Sequence, residues 1–308
     1  RCDVISSPWA RSVCRSSRCF RSSWHSGSST RPGTIPHSFA IVNEFQCLEL
    51  LARPGIELFH RDAPFWNPAW TIERGLLPEE MEKALDAIPL HGDIRADVVL
   101  RMGCPFDFTD SASVRTVVFA TCEFGRLTPE VVRNHESATS VLARSRAEVI
   151  TPSTWSREGL VRSGVPPERV HIVPHGVDTS IFCPAPALQR VALRRQLGWG
   201  GKFVFLHVGA MRPNKGVPLM LEALAQIKDR HPEAMLALKG LDSLYQSEQS
   251  LHAMMDGVPA EIREKLASRV AFVGATCSFP RMAALYQAAD AYLSPYTGEG
   301  FNLPVLEA

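Results

Sequence analysis

The feature that most limits how this chain can fold is an alternation that runs through it twice. Short apolar runs of strand length include Val98-Val99-Leu100, Val117-Val118-Phe119-Ala120, Glu148-Val149-Ile150-Thr151 and Val170-His171-Ile172-Val173. Stretches with helical spacing separate them. Runs that are apolar throughout suit strands covered on both faces, the condition of a parallel sheet with crossover helices. Three prolines and little periodicity mark residues 174–186 as a linker. The alternation then restarts with Phe203-Val204-Phe205-Leu206-His207-Val208 and continues through Leu236-Ala237-Leu238 and Val270-Ala271-Phe272-Val273. It ends at Tyr292-Leu293-Ser294. The spacing predicts helices over 78–88, 129–143, 154–163, 217–228 and 279–289. A further helix is expected where Ser38 can act as cap and Phe39, Val42, Phe45 and Leu48 share one face.

An α/β chain follows, with two Rossmann-like doubly wound domains, 32–180 and 181–308, behind an irregular segment 1–31. That segment is crowded with serine and arginine and holds one acid, Asp3. Its composition suits a transit peptide, an arginine–serine tail, or a stretch foreign to the domain such as a misread frame. A doubly wound sheet needs an apolar first strand near its centre, and only Cys2-Asp3-Val4-Ile5 offers one, so the N-terminal domain's first strand is doubtful. The chain begins at Arg1 and stops at Ala308 just inside a helix, so the C-terminal domain reads as truncated after its fourth strand. An apolar fourth strand left at the edge favours aggregation, and poor solubility and inactivity are expected of this length alone.

The net charge of +1 gives no basic field for nucleic acid. No apolar run reaches the eighteen or so residues of a transmembrane segment. Eight cysteines without a C-x-x-C pair suit a reducing compartment, hence a cytoplasmic location, with attachment at a membrane surface left open. No D-x-D occurs; Gly201-Lys202 lacks the rest of a phosphate-loop motif; and no G-x-G-x-x-G follows a strand. No metal or cofactor is implied.

The chemistry concentrates in the last residues, Y-L-S-P-Y-T-G-E-G-F-N-L-P-V-L-E-A. A strand breaks at Pro295, passes through Gly298 and Gly300, and enters a helix whose first turn suits Pro304. The amides of Gly300, Phe301, Asn302 and Leu303 can face an anion there. Glu299 and Glu307 would repel a phosphate, so they serve hydroxyls on either side of it, one on a sugar and one on a ribose. The second signal is V-G-A-M-R-P-N-K-G over 208–216, between a strand and a helix. There Gly209 lets the chain turn close to a ligand, and Lys215 sets a cation near the helix start. The third is T-P-S from Thr151, followed by the strand ending P-H-G-V-D, where Gly176 suits a backbone angle other residues resist. His175 and Asp178 serve either the turn or a ligand.

These motifs resemble the GT-B glycosyltransferases of family 4, whose retaining members carry E-x7-E, matched by Glu299 and Glu307. The resemblance implies a metal-independent transferase moving a hexose from a nucleotide-diphosphate sugar to an acceptor hydroxyl of a glycan, lipid or small molecule, with retention. It places Glu299 on the donor sugar, Glu307 on the ribose and Lys215 on the diphosphate. The family's arginine position holds Ala210, and Arg212 stands two residues on. His175 and Gly176 would face the cleft. His37, at the start of the first helix, is either an acceptor contact or an exposed loop residue, and Glu123 is a candidate for orienting the acceptor. The competing expectations are a non-catalytic fragment with weak or no nucleotide binding and, further off, another nucleotide-binding doubly wound enzyme.

Overall fold

A computed structural model describes residues 18–25, 35–63, 67, 69–91 and 95–308. The chain divides into two compact units, Arg1–Pro174 and His175–Ala308, at the head of the proline-rich stretch. Each is built on its own parallel sheet.

The first unit contains β1 (Arg18–His25), α1 (Ser38–Leu51), β2 (Ile56–Ala63), α2 (Glu79–Asp86), β3 (Val98–Met102) and β4 (Arg115–Phe119). It continues with α3 (Ala138–Leu142), β5 (Glu148–Thr151), α4 (Thr154–Arg162) and β6 (Val170–Ile172). The sheet order is β2-β1-β3-β4-β5-β6. Successive side chains of a strand face opposite sides, and the core obeys this. Val118 and Val149 pack with Leu142 and Leu160, whereas Val117, Phe119 and Ile150 pack with Val42 and Phe39. Both faces of the sheet are therefore covered, as apolar runs demand.

Three sequence expectations change here. A first strand exists: Arg18–His25 pairs with β2 on one side and β3 on the other, with Phe20 in register with Val98. Its sequence, R-C-F-R-S-S-W-H, has no apolar alternation to betray it. Cys2, Asp3, Val4 and Ile5 lie outside the described residues. The long helix expected over 129–143 is instead two 3-10 turns and the short α3. Val132 is extended and bridges to Phe106, Asn134 sits at φ 60°, and Ser137 caps α3, so no continuous helical ladder forms. The cap of α1 is His37, whose Nδ1 accepts from the Phe39 amide, in place of Ser38, which lies inside the helix.

The second unit runs α5 (Ala187–Gln196), β7 (Phe203–Val208), α6 (Val217–Ile227), β8 (Ala234–Lys239), α7 (Asp242–Tyr245), α8 (Ser247–Asp256), α9 (Ala260–Ala267) and β9 (Val270–Val273). It ends with α10 (Phe279–Ala288), β10 (Ala291–Tyr292) and α11 (Leu303–Glu307). The sheet order β10-β7-β8-β9 puts β7 inside and the two-residue β10 at an edge. Leu236 and Leu238 pack under Met220, Leu221 and Leu224; Val204, Leu206 and Ala237 pack on the other face with Trp199, Leu285 and Ala288. Because β10 pairs directly with β7, the loops that leave these two neighbouring strands emerge side by side. That adjacency sets up the site. Among the described residues no helix is long and apolar enough to cross a membrane.

Candidate functional site

The two loops that leave β7 and β10 carry most of the candidate residues of the second unit, and the structure joins them. Residues 209–216 follow β7, make a 3-10 turn at Pro213–Lys215 and open α6. Residues 293–302 follow β10 and lead into α11. The Thr297 amide donates to the Asn214 carbonyl at 2.9 Å, and Asn214 Nδ2 reaches the Gly298 carbonyl at 3.5 Å. Lys215 Nζ stands 2.5 Å from Glu299 Oε2 and 4.6 Å from the centroid of the Tyr296 ring. Tyr296 in turn donates its hydroxyl to the Val208 carbonyl at 2.7 Å.

Two glycines make this junction possible. Gly216 has φ 74°, and a Cβ there would lie 2.2 Å from the Pro295 carbonyl oxygen. A side chain would suffer both the left-handed backbone and the collision. At Gly209 the backbone angle is ordinary, but a Cβ would approach Tyr296 Oη to 2.9 Å. The space a side chain would take at Gly209 is thus held by Tyr296. The same Cβ would lie 3.4 Å from Nε2 of His207.

His207 is wholly buried between these elements; Nδ1 lies 3.0 Å from the Leu293 carbonyl, and Nε2 has no partner. Burial, with a smaller push from the Lys215 charge, lowers its pKa to about 4, so it is neutral at pH 7. A neutral ring bonded to a carbonyl carries its proton on Nδ1.

Around the loop before α11, Asn302 adopts the left-handed conformation at φ 67°, and its Nδ2 donates to Ser294 Oγ at 2.6 Å. The Gly300 amide leans on its neighbour Glu299, Oε1 at 3.2 Å. Phe301 meets the His175 ring edge to face, centroids 4.9 Å apart, and burial holds the His175 pKa at about 4. Leu303 opens α11, with Pro304 in the first turn as the sequence predicts. Glu307, one turn in, accepts from the Tyr286 hydroxyl at 2.8 Å, and burial raises its pKa against the lowering effect of that bond. Glu299, Lys215, Gly300, Phe301, Asn302, Leu303, Gly209 and His175 are therefore within one connected set of contacts, with Glu307 at its helix end.

Other candidates stand elsewhere. The guanidinium of the exposed Arg212 lies 5.8 Å from the centroid of Tyr245, turned onto α7. Gly176 is corrected: it has no positive φ and nothing within 4 Å of a would-be Cβ, so the turn needs no glycine there. Asp178 makes the turn, with Oδ1 accepting from the Ser180 amide at 2.9 Å and its hydroxyl at 2.6 Å. In the first unit, His37 is a half-buried cap whose ring packs on Phe39 and, at 5.2 Å, on Trp70. Glu123 is half-buried in the loop after β4, its carbonyl accepting from Trp155 Nε1 at 3.1 Å. Sequence reasoning missed Tyr286, Tyr296 and Asn214. Tyr286 stands in an apolar run, where the pattern signals only burial, and Tyr296 and Asn214 stand in loops rich in turn residues, where the pattern signals only a turn.

Residues 202–308 match the family described as Glycosyl transferases group 1. That match lies within the second unit. The chain is 26% identical over 171 residues to mannosylfructose-phosphate synthase of Agrobacterium fabrum, covering 54% of the chain and 37% of that protein. It is 28% identical over 212 residues to D-inositol 3-phosphate glycosyltransferase of Thermobispora bispora, covering 68% and 47%. It therefore spans less than half the length of either relative. Anabaena HepE, crystallised in complex with UDP, superposes with a TM-score of 0.63 at 17% identity, over 94% of this chain and 77% of that one. That likeness establishes the GT-B fold.

Proposed function

We propose that this chain transfers a hexose from a nucleotide-diphosphate sugar to an acceptor hydroxyl, with retention at the anomeric carbon and without a metal. The observation that carries the proposal is the meeting of Lys215 with Glu299 where the loops after β7 and β10 join. A cation and a carboxylate set side by side match a ligand that carries phosphate and sugar hydroxyls side by side. The relatives named for mannosyl and inositol glycosyl transfer support the same class.

In this scheme the bond from the anomeric carbon to the phosphate oxygen breaks, and negative charge grows on the leaving diphosphate. Lys215 and the loop amides of Gly300, Phe301 and Asn302 meet that charge. Preorganised donors of this kind are typically worth about 10²–10³ in rate each. The acceptor oxygen attacks from the face the diphosphate leaves, and its proton passes to a phosphate oxygen, which gives retention. Glu299 holds the sugar hydroxyls and Glu307 the ribose. The residues proposed to hold the donor belong to the second unit, and His37 and Glu123, in the first, are the acceptor candidates. The setting is cytoplasmic, at or away from a membrane surface.

The test is calorimetric titration with UDP-glucose and GDP-mannose, followed by chromatography for released sugar and nucleotide in the presence of EDTA. Binding and turnover that survive EDTA, with turnover falling at least about 100-fold in Lys215→Ala and Glu299→Ala, support the proposal. Binding of neither donor, or full turnover in both variants, overturns it.

A further inference from the structure

Glu307 sits on α11, a helix of five residues whose start has no side-chain cap. The backbone alone orients its carboxylate weakly, yet the side chain is anchored. Tyr286, from α10, donates its hydroxyl to Glu307 Oε2 at 2.8 Å. Tyr286 is itself fixed, packed edge-on against Phe182 at 6.0 Å and tilted against Tyr292 at 5.8 Å. Among the described residues no other group hydrogen-bonds to the Glu307 carboxylate. One oxygen is thus spoken for and the other is left to accept.

We propose that Tyr286 is a positioning residue for ribose selection: its hydroxyl occupies Oε2 of Glu307 and so presents Oε1 to the 2′ and 3′ hydroxyls of a nucleotide. This rests on Glu307 being the ribose acceptor. An ionised carboxylate is acceptor-only, so with one oxygen on a phenol the free oxygen can take a hydroxyl pair, whereas a protonated one turns one site into a donor and accepts more weakly. Burial already favours the protonated form of Glu307, and the Tyr286 bond opposes it. The phenol therefore sets both the direction and the charge of the group. The bland alternative, a buried tyrosine satisfying its own hydroxyl, predicts no link between Tyr286 and the sugar of the nucleotide.

The test is calorimetric titration of the whole chain with UDP, GDP and their 2′-deoxy and 3′-deoxy counterparts. The proteins are the wild type, Tyr286→Phe, Glu307→Gln and the double variant, each checked for a cooperative thermal melt. The wild type is expected to favour the ribonucleotide by about tenfold, the worth of a hydrogen bond to a charged group. Tyr286→Phe should cut that preference at least threefold while leaving deoxynucleotide affinity within twofold. It should add nothing in the Glu307→Gln background. It should also move the acid limb of ribonucleotide affinity to higher pH. Tyr286→p-aminophenylalanine, which restores a donor on the same ring and gives a second variant, should recover the preference. An undiminished preference in Tyr286→Phe, or an equal loss with and without Glu307, overturns the positioning role alone. A wild type that binds UDP or GDP without favouring the ribose removes the role of Glu307 and this inference with it, and one that binds none of these nucleotides removes the proposed function as well.

Discussion

Lys215 Nζ and Glu299 Oε2 stand 2.5 Å apart, so the cation assigned to the diphosphate is already held by the carboxylate assigned to the sugar. Both side chains are mostly buried, 16% and 25% exposed, where an ion pair is screened less than at an open surface. A diphosphate must then compete with Glu299 for Lys215. Glu299→Gln removes the competitor and keeps the shape. A bare nucleoside diphosphate is expected to bind this variant about three- to tenfold more tightly, as a hydrogen bond to a charged group would allow. The sugar nucleotide should gain less or lose affinity, because the sugar's acceptor is weakened. Parallel titrations with UDP and UDP-glucose read the split; an equal change in both would remove the competition.

The junction of the two loops depends on Gly216. A left-handed residue with a Cβ costs about 1–2 kcal/mol, and the contact with the Pro295 carbonyl, 2.2 Å from the would-be Cβ, adds to it. Gly216→Ala is expected to lower stability by at least about 2 kcal/mol. The damage should fall on residues 293–302, since that is where the collision lies. Urea unfolding gives the first quantity, and hydrogen exchange at the Thr297 amide, which bonds to Asn214, the second. A fully stable Gly216→Ala protein with a protected Thr297 amide would contradict the packing described.

His207 makes stability depend on pH. Its pKa is about 4 when folded and near 6.5 when free, so between these values the unfolded chain binds more protons. Stability is then full above pH 6.5 and falls as pH drops towards 4, with a slope of at most about 1.4 kcal/mol per pH unit. His175, also held at about 4 by burial, acts in the same window. Urea midpoints at pH 7, 5.5 and 4.5 measure the slope. His207→Phe should flatten part of it, leaving the share of His175. An unchanged slope would mean that His207 titrates normally.

What the sequence made legible follows from how each residue acts. The apolar runs of β3, β4, β5, β7, β8 and β9 announce themselves because burial on both faces requires such residues. β1 does not, because its place comes from ladders to β2 and β3 and its residues carry no apolar pattern. Residues 129–143 mislead for the opposite reason: Val132, Val141 and Leu142 are buried as a helix face would be, but Asn134 and Ser137 interrupt the ladder between them. Lys215 and Glu299 stand in loops between strand and helix, and Glu307 in the helix that follows, places that the strand and turn pattern of the sequence locates. Tyr286 and Tyr296 were not: an aromatic in an apolar run, as Tyr286 is, looks the same whether it fills a core or holds a carboxylate, and nothing about Tyr296, between Pro295 and Thr297, marks it as a lysine's partner. Gly176 was over-read, its neighbour Asp178 making the turn.

Asp290, just before β10, ties α5 to the strand edge on which the Glu299 loop depends. Its Oδ1 lies 2.6 Å from Arg190 and its Oδ2 2.9 Å from Arg194, and Oδ2 also accepts from the Val204 amide at 2.8 Å. Burial pushes its pKa up, but the Val204 amide and the two arginines outweigh that and hold it below the usual carboxylate value. Asp290→Asn keeps the size, removes the charge, and leaves Arg194, only 13% exposed, without its counterion. Breaking such a pair from one side typically costs about 3–5 kcal/mol when fully buried, so about 2–4 kcal/mol is expected here. Because the folded pKa is depressed, this stabilisation is complete above the ordinary carboxylate range and is lost only as pH falls through the lowered value. Chemical denaturation at pH 7 and at pH 3 should therefore show a large gap between wild type and Asp290→Asn at the first and a smaller one at the second. Equal gaps at both would mean that the charge of Asp290 contributes nothing, and no gap at either that the amide serves as well.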